Sequence, residues 1–154
     1  MKKCFLMGHR DSPVTLLPKL TEAIRQCIEE ENITDFFVGS RGNFDHMCVQ
    51  TLKQIKLLYP KIHLYLLTPY YCPHSTSPLP DEFEGTYFPE GMESVPPKFA
   101  ISRLNCIMVK ECDYLITFLT RTSSPLYPIY QSALSQQKKR KLIIKNFGVF
   151  PDKE

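Results

Sequence analysis

Residues 35–45 decide the fold of this chain, and they read Asp-Phe-Phe-Val-Gly-Ser-Arg-Gly-Asn-Phe-Asp. The compact run at 35–38 is typical of a buried strand, and the glycines at 39 and 42 mark a tight loop. Apolar residues then recur at helical spacing, at Phe44, Cys48, Leu52 and Ile55. The stretch therefore predicts a strand, a glycine loop and a helix.

The same alternation extends along the chain in both directions. Short apolar runs predict five strands, at 3–7, 35–38, 62–67, 114–119 and 142–144. Helical spacing predicts helices between them, and the first has Thr15 as its N-cap and Pro18 in its first turn. Such alternation forms parallel sheets with right-handed crossovers. We predict a doubly wound α/β three-layer sandwich whose parallel five-stranded sheet has the order 3-2-1-4-5.

Composition indicates one ordinary globular domain over residues 1–154, with 43% apolar and 23% charged residues. The net charge of +3 is too small to indicate a nucleic-acid footprint. Residues 70–97 hold six of the 13 prolines and show almost no periodicity. We predict a Pro-rich insertion there, either a lid or a packed or disordered surface loop.

The cysteines and the N-terminal segment indicate the cellular compartment in which we expect the protein. None of the six cysteines forms a C-x-x-C pair, and five lie in predicted strands or helices, which favours small reduced core residues. The apolar run at the N-terminus stops at Gly8, too short for a signal peptide or a membrane span. We expect a cytoplasmic protein with no membrane partner, no cofactor and no metal site, since the four histidines are scattered.

Three predicted loops converge where the strand order reverses, which is where doubly wound folds bind ligands. They are residues 8–12, 39–45 and 120–125. In the second loop, Gly39 and Gly42 let backbone N–H groups approach a phosphate at a helix N-terminus, and Ser40 and Arg41 add donors. Alternatively, the glycines only form a tight turn, with Asn43 as a cap and Asp45 complementing the helix dipole. Glycine spacing alone does not separate the two interpretations.

Further candidates lie outside this loop. Gly8, His9 and Arg10 follow the central strand, where Arg10 is either an anion clamp or an ordinary surface charge. Asn105 falls within the apolar stripe of a predicted helix, which indicates either a buried hydrogen bond or a ligand contact.

Three motifs together resemble the SLOG superfamily, and within it the small YpsA-like bacterial proteins. They are residues 5–10, the loop at 39–45, and the run Val-Pro-Pro-Lys-Phe-Ala-Ile-Ser-Arg-Leu-Asn at 95–105. The resemblance covers nearly the whole chain and implies a Rossmann-like fold that binds nucleotides or nucleotide-derived signals. On matching positions it implies ligand contacts at Gly8, Arg10, Gly39, Ser40, Gly42, Asp45, Arg103 and Asn105. Residues 120–125 depart from it, because they lack the glycine pair and the glycine-threonine-glutamate signature of phosphoribohydrolases.

Three functions follow as hypotheses. The first is binding or sensing of a nucleotide-like small molecule, with Phe83, Tyr87 and Phe88 of the insertion covering a base or ribose. The second is N-glycosidic hydrolysis, with Asp45 as the candidate catalytic residue or a lid carboxylate from Glu82, Glu84 or Glu93. The third is a nucleic-acid or protein interaction module, suggested by the basic run at 138–141, although such a run is usually a solvated helix end. We expect a small-molecule partner rather than nucleic acid, and a homodimer is one option for the assembly.

Overall fold

Strands and helices alternate along the chain in a computed structural model that describes residues 2–70 and 79–151. The strands are β1 (Lys2–Gly8), β2 (Ile33–Val38), β3 (His63–Leu67), β4 (Gly85–Tyr87), β5 (Tyr114–Phe118) and β6 (Ile143–Asn146). The helices are α1 (Leu17–Glu29), α2 (Gly42–Leu58), α3 (Pro97–Glu111) and α4 (Tyr127–Lys139), with 3-10 turns at Val14–Leu16 and Met92–Ser94.

The sheet has six parallel strands in the order β4-β3-β2-β1-β5-β6. The predicted five strands in the order 3-2-1-4-5 were therefore wrong. The additional strand, β4, lies inside the Pro-rich insertion and extends the sheet beyond β3, where Thr86 pairs with Leu66. Its three residues are too few to show a period of two, so the sequence pattern could not indicate it. The order of strands still reverses between β1 and β5.

Alternate residues along the strands point to opposite faces of the sheet, and each face packs into its own hydrophobic core. Cys4 and Leu6 of β1 face a core shared with α1 and α2. Phe5 and Met7 face a second core shared with α3 and α4. This confirms the α/β arrangement with helices on both faces of a parallel sheet. Among the described residues, no helix combines the length and the apolar character needed to cross a membrane.

Cysteines belong to these cores as predicted, and each described cysteine is a free thiol. Cys4, Cys27, Cys48 and Cys112 are buried, and Cys106 is partly buried. Burial raises the pKa of Cys112 to about 12 and holds the pKa of Cys4 well above its ordinary value, so these thiols are protonated. Cys72 lies outside the described residues.

The start of α1 differs from the prediction. The helix begins at Leu17 and has no side-chain cap, whereas Thr15 lies within the preceding 3-10 turn. Pro13 initiates that turn, because its carbonyl accepts the N–H of Leu16 at 3.1 Å. Pro18 occupies the first helical turn, as expected.

Aromatic residues of the insertion pack into the protein rather than over an open surface. Phe83 is buried in the core on the α1 and α2 side. Tyr87 packs edge-on against Phe37 and donates its hydroxyl to Glu111, and Phe88 packs against the opposite core. Residues 71–78 of the insertion lie outside the described residues.

Arg140 closes the carboxyl end of α3. Its guanidinium donates to the carbonyls of Cys112 at 2.8 Å, Val109 at 2.9 Å and Lys110 at 3.0 Å. A helix C-terminus leaves carbonyl groups without intrahelical partners and carries partial negative charge. Arg140, which follows α4, therefore connects α4 to the end of α3. This connection lies at the amino ends of the strands, opposite the loops that follow β1 and β5.

We predict that Arg140→Ala lowers the free energy of unfolding by about 2 kcal/mol, since three charge-assisted hydrogen bonds are lost. Urea denaturation monitored by circular dichroism measures this. Lys139→Ala is the control, because Lys139 is the neighbouring exposed basic residue at the end of α4, and it is expected to change stability by less than about 0.5 kcal/mol. Equal effects of the two substitutions would contradict a specific role for Arg140.

Candidate functional site

A cleft of about 450 Å³ opens at the carboxyl ends of β1, β2 and β5. The loops that follow these three strands all contribute to its wall, together with the side of α3. This is the point at which the strand order reverses, where doubly wound sheets place their ligands. The volume lies within the range of small-molecule sites.

Most of the candidate residues from the sequence line this cleft. The loop after β1 contributes Gly8, His9 and Arg10, and the loop after β2 contributes Gly39, Ser40, Arg41 and Asp45. Asn105 reaches the cleft from α3. Two candidates do not line it. Gly42 lies behind Arg10, and Arg103 is exposed on α3 outside the cleft wall.

Two glycines allow the loop after β1 to lie directly against the start of α2. A Cβ atom on Gly8 would stand 2.4 Å from the ring of Phe44. Gly42 has a φ of +89°, and a Cβ there would stand 2.7 Å from the Cα of Arg10. The N–H of Asn43 donates to the carbonyl of Arg10 at 2.8 Å, which joins the two loops. Gly42 therefore has the turn role considered from the sequence, and Gly8 is needed for the close approach of the two segments.

Asp45 replaces a conventional cap at the start of α2. Its Oδ2 accepts the N–H of Arg41 at 3.0 Å, whereas no side chain caps the helix at Arg41 itself and Asn43 donates to the carbonyl of Ser12 instead. The same oxygen stands 2.8 Å from the position that a Cβ on Gly39 would take. Glycine at 39 therefore makes room for the carboxyl group.

The environment of Asp45 makes its carboxyl unusually basic. Burial raises its pKa to about 7, although the Arg41 N–H and the nearby Arg10 guanidinium oppose the shift. Its Oδ1 hydrogen-bonds to no group in the described ranges, and the carboxyl lines the cleft. One oxygen of Asp45 thus caps the start of α2, and the other has no hydrogen-bond partner in the described ranges.

Donors without partners surround the same end of the cleft. The Arg10 guanidinium and the N–H and hydroxyl of Ser40 have no hydrogen-bond partner within residues 2–70 and 79–151. Arg41 stacks over the ring of Tyr70, 5.5 Å from its centroid, and so keeps its charge at the cleft. With the N-terminus of α2, these groups form a region of positive potential.

The opposite side of the cleft is held by His9. Its side chain is only 2% exposed, and its Nε2 accepts the backbone N–H of Thr120 at 2.9 Å. Burial and the neighbouring Arg121 lower the pKa of His9, while Asp11 opposes them. The imidazole is therefore neutral and links the loop after β1 to the loop after β5.

Sequence analysis did not single out the ion pair beside His9. Arg121 donates through both terminal nitrogens to the carboxylate of Asp11, at 3.2 Å each. Both side chains reach the cleft, although 110 residues separate them in the chain. The sequence contained one indication that these two residues belong to the site. Each lies in a loop directly after a central strand, and such loops surround the point where the strand order reverses.

An apolar wall completes the cleft between the two polar ends. Met7 and Leu67 contribute from the sheet, Ile101 and Leu104 from α3, and Leu126 from the loop after β5. Asn105 lies beside them, partly buried, and its amide hydrogen-bonds to none of the described groups. The buried hydrogen bond considered for Asn105 is thus not formed to this part of the chain.

Comparisons with known proteins identify no family or relative from which the chemistry of the cleft could be inferred. No protein-family model matches the sequence, and no curated protein matches it significantly. In the described ranges, no cluster of three or more His, Cys, Asp or Glu side chains could hold a metal ion. What the cleft offers is a cationic end, an apolar wall and a partly buried carboxyl group.

We predict that Asp45→Asn stabilises the protein at pH 8 and changes little at pH 4, close to the pKa of a free carboxyl. The folded carboxyl holds its proton up to about pH 7, whereas a free carboxyl loses it near 3.8, so the wild type loses stability as pH rises between these values. An asparagine is neutral throughout and still accepts the Arg41 N–H. The melting temperature at pH 8 should rise by at least about 3 °C.

Thermal unfolding at the two pH values measures this difference. Asp81→Asn, at an exposed carboxyl, is the matched control and should show no such dependence on pH. A destabilised Asp45→Asn variant at pH 8 would mean that the ionised carboxylate is favoured in the folded protein, contrary to the effect of its burial.

Proposed function

We propose that this protein binds a nucleotide or nucleotide-derived small molecule, with a phosphate group on the loop at residues 39–45. The observation that carries the proposal is the unpaired Arg10 guanidinium beside the free Ser40 N–H, at the N-terminus of α2. Phosphate groups accept forked hydrogen bonds from arginine and are stabilised by helix N-termini. A cationic end without a local partner in the described chain is thus suited to an anion.

The apolar wall supports a nucleotide rather than a bare anion. Leu67, Ile101 and Leu104 offer a surface for a flat, weakly polar group such as a base. Beside them, the free amide of Asn105 and the free Oδ1 of Asp45 supply a donor and an acceptor for hydroxyl or ring-nitrogen groups. This arrangement of apolar surface with a few polar groups is typical of small-molecule sites.

Membership of the SLOG superfamily is part of the same proposal. Its support is the order of the three motifs in the sequence, together with the position of two of them at the cleft through Arg10 and the loop at 39–45. The third motif contributes Asn105 to the cleft, while its Arg103 faces elsewhere. Arg103 therefore serves as an internal control for the proposed site.

We predict that adenosine 5′-monophosphate binds to the wild type, and that Arg10→Gln and Arg41→Gln each weaken the binding about tenfold or more. Each substitution removes a cationic donor at the phosphate, and Arg41→Gln leaves the backbone N–H for Asp45 in place. Isothermal titration calorimetry at low salt measures the dissociation constants. Arg103→Gln removes the same charge outside the cleft and should leave the affinity unchanged.

Equal losses in the three variants would show that net charge rather than the site attracts the nucleotide. Absence of measurable binding of adenosine, guanosine, cytidine and uridine 5′-monophosphates to the wild type would refute a nucleotide site in this cleft. Circular dichroism of each variant confirms that the fold is retained.

The free oxygen of Asp45 favours a second candidate function, N-glycosidic hydrolysis of the bound nucleotide. A carboxyl with a pKa of about 7 is suited to general acid–base chemistry near neutral pH. The insertion carboxylates considered from the sequence do not line the cleft, and Glu84 instead contacts His63 and Lys56. Asp45 is therefore the carboxyl group on which this function would depend.

Under this second function, wild-type protein releases free base from a nucleoside 5′-monophosphate, and Asp45→Asn abolishes the release with little loss of affinity. Liquid chromatography of the incubated nucleotide measures both base and ribose phosphate. Binding without any released base, at protein concentrations equal to the nucleotide concentration, would leave only the binding function.

Local contacts account for most of the basic run at the end of α4. Arg140 caps α3, and Lys138 and Lys139 lie in the last turn of their own helix, where positive charge is favoured by the dipole. These contacts account for these residues without a nucleic-acid partner.

A further inference from the structure

The contact between His9 and Arg121 has an unusual hydrogen-bonding pattern. A neutral imidazole carries a proton on one nitrogen only and accepts on the other. Because a backbone N–H is always a donor, the Thr120 N–H that points at Nε2 requires this nitrogen to be the acceptor. The proton of the neutral ring therefore lies on Nδ1.

This assignment places two donors against each other. The Nη2 of Arg121 lies 3.4 Å from Nδ1 of His9, and a guanidinium has donors only. In the reversed tautomer, Nε2–H could donate to the Thr120 hydroxyl at 3.4 Å, but it would also stand 2.9 Å from the Thr120 nitrogen and leave that N–H without an acceptor. Whichever nitrogen holds the proton, the ring meets one donor too many, and an acceptor is missing beside it.

The ring cannot readily turn away from this conflict. It is 2% exposed and packs edge-on against Phe118, with the ring centroids 5.8 Å apart. On the other side of the contact, Asp11 already holds Arg121 through both of its carboxylate oxygens. Asp11 does not hydrogen-bond to His9, so the Nδ1–H remains without an acceptor in the described part of the chain.

The geometry points to a second anion subsite in the cleft, at which one oxygen of a ligand phosphate or carboxylate accepts from both His9 Nδ1–H and Arg121. Two donor atoms 3.4 Å apart can each lie at hydrogen-bond distance from one shared oxygen. Both residues line the cleft, and the half-exposed Arg121 side chain covers the Nδ1 edge of the His9 ring. An oxygen there turns an unfavourable donor–donor contact into two charge-assisted hydrogen bonds.

This inference rests on the proposed function and narrows it. The first subsite is formed by Arg10, Arg41 and the loop at 39–45, and the second lies across the cleft at His9 and Arg121. A ligand that fills both carries two anionic groups. The ligand class is therefore a nucleotide with a second phosphate, or a phosphate ester that also bears a carboxylate, rather than a nucleoside monophosphate.

Asp11 fits this picture as a competitor for Arg121. It is the more exposed member of the ion pair, with 69% of its side chain accessible, and it lies on the loop after β1. Release of Arg121 from Asp11 makes the guanidinium fork available to the ligand. Asp11→Asn should therefore strengthen the binding of a ligand with two anionic groups.

The test compares three probes by calorimetry, namely adenosine 5′-monophosphate, ADP and adenosine 3′,5′-bisphosphate. We expect at least one of the two probes with a second phosphate group to bind about tenfold more tightly than the monophosphate, and Arg121→Gln to remove that gain. Arg103→Gln, which removes a charge outside the cleft, should retain it. Arg121 is half exposed, so its substitution leaves the core intact.

Nitrogen-15 NMR of the His9 ring supplies a readout that does not depend on the nucleotide. The free protein should show the Nδ1–H tautomer, and inorganic pyrophosphate should shift the Nδ1 resonance in the wild type but not in Arg121→Gln. The opposite tautomer, or a Nδ1 resonance that pyrophosphate leaves unchanged, overturns the second subsite.

Different results would contradict the second subsite and the proposed nucleotide-binding function. If the monophosphate binds through Arg10 but neither probe with a second phosphate gains affinity, or the gain survives in Arg121→Gln, the second subsite is wrong and the proposed function stands. If pyrophosphate shifts His9 in an Arg121-dependent way while no nucleotide binds, the subsite is supported and the nucleotide function is wrong.

Discussion

The cleft depends on the direct contact between the end of β1 and the start of α2. The Asn43 N–H donates to the Arg10 carbonyl, and glycines at 8 and 42 leave no side chain between the two segments. A methyl group at either position would push Phe44 or Arg10 away. Because both loops are held this closely, Arg10 stands beside the N-terminus of a 17-residue helix, and two sources of positive potential act on the same space.

Burial in the first turn of α2 determines the protonation state of Asp45. A carboxylate near a helix N-terminus is ordinarily favoured and stays ionised. Here burial raises its pKa to about 7, so the group sits at the boundary between a neutral and a charged carboxyl in the physiological range. An anion that occupies the loop favours the protonated form, since two negative charges in one partly buried site repel each other. The capping bond to Arg41 is compatible with both states.

Side-chain hydrogen bonds, rather than close backbone contacts, position the loop after β5 on the other side of the cleft. Asn146, at the end of β6, accepts from the N–H and donates to the carbonyl of Leu119, and His9 accepts the N–H of the next residue, Thr120. These bonds tie the loop after β5 to both of its neighbouring strand ends. The loop lacks glycines, yet it is positioned by side chains from outside it, and its Arg121 faces the cleft in place of backbone donors.

Local patterns in the sequence were sufficient for the α/β alternation and for the loops after β1, β2 and β5. The glycines, the short apolar runs and the helical spacing express interactions within about ten residues, and they also marked Arg10, Ser40, Asp45 and Asn105. Strand β4, the Arg121–Asp11 pair and the role of His9 depend on contacts between distant segments. No local sequence pattern could indicate that the Thr120 N–H donates to the ring of His9, 111 residues earlier. That bond forms only when the sheet places β1 and β5 side by side.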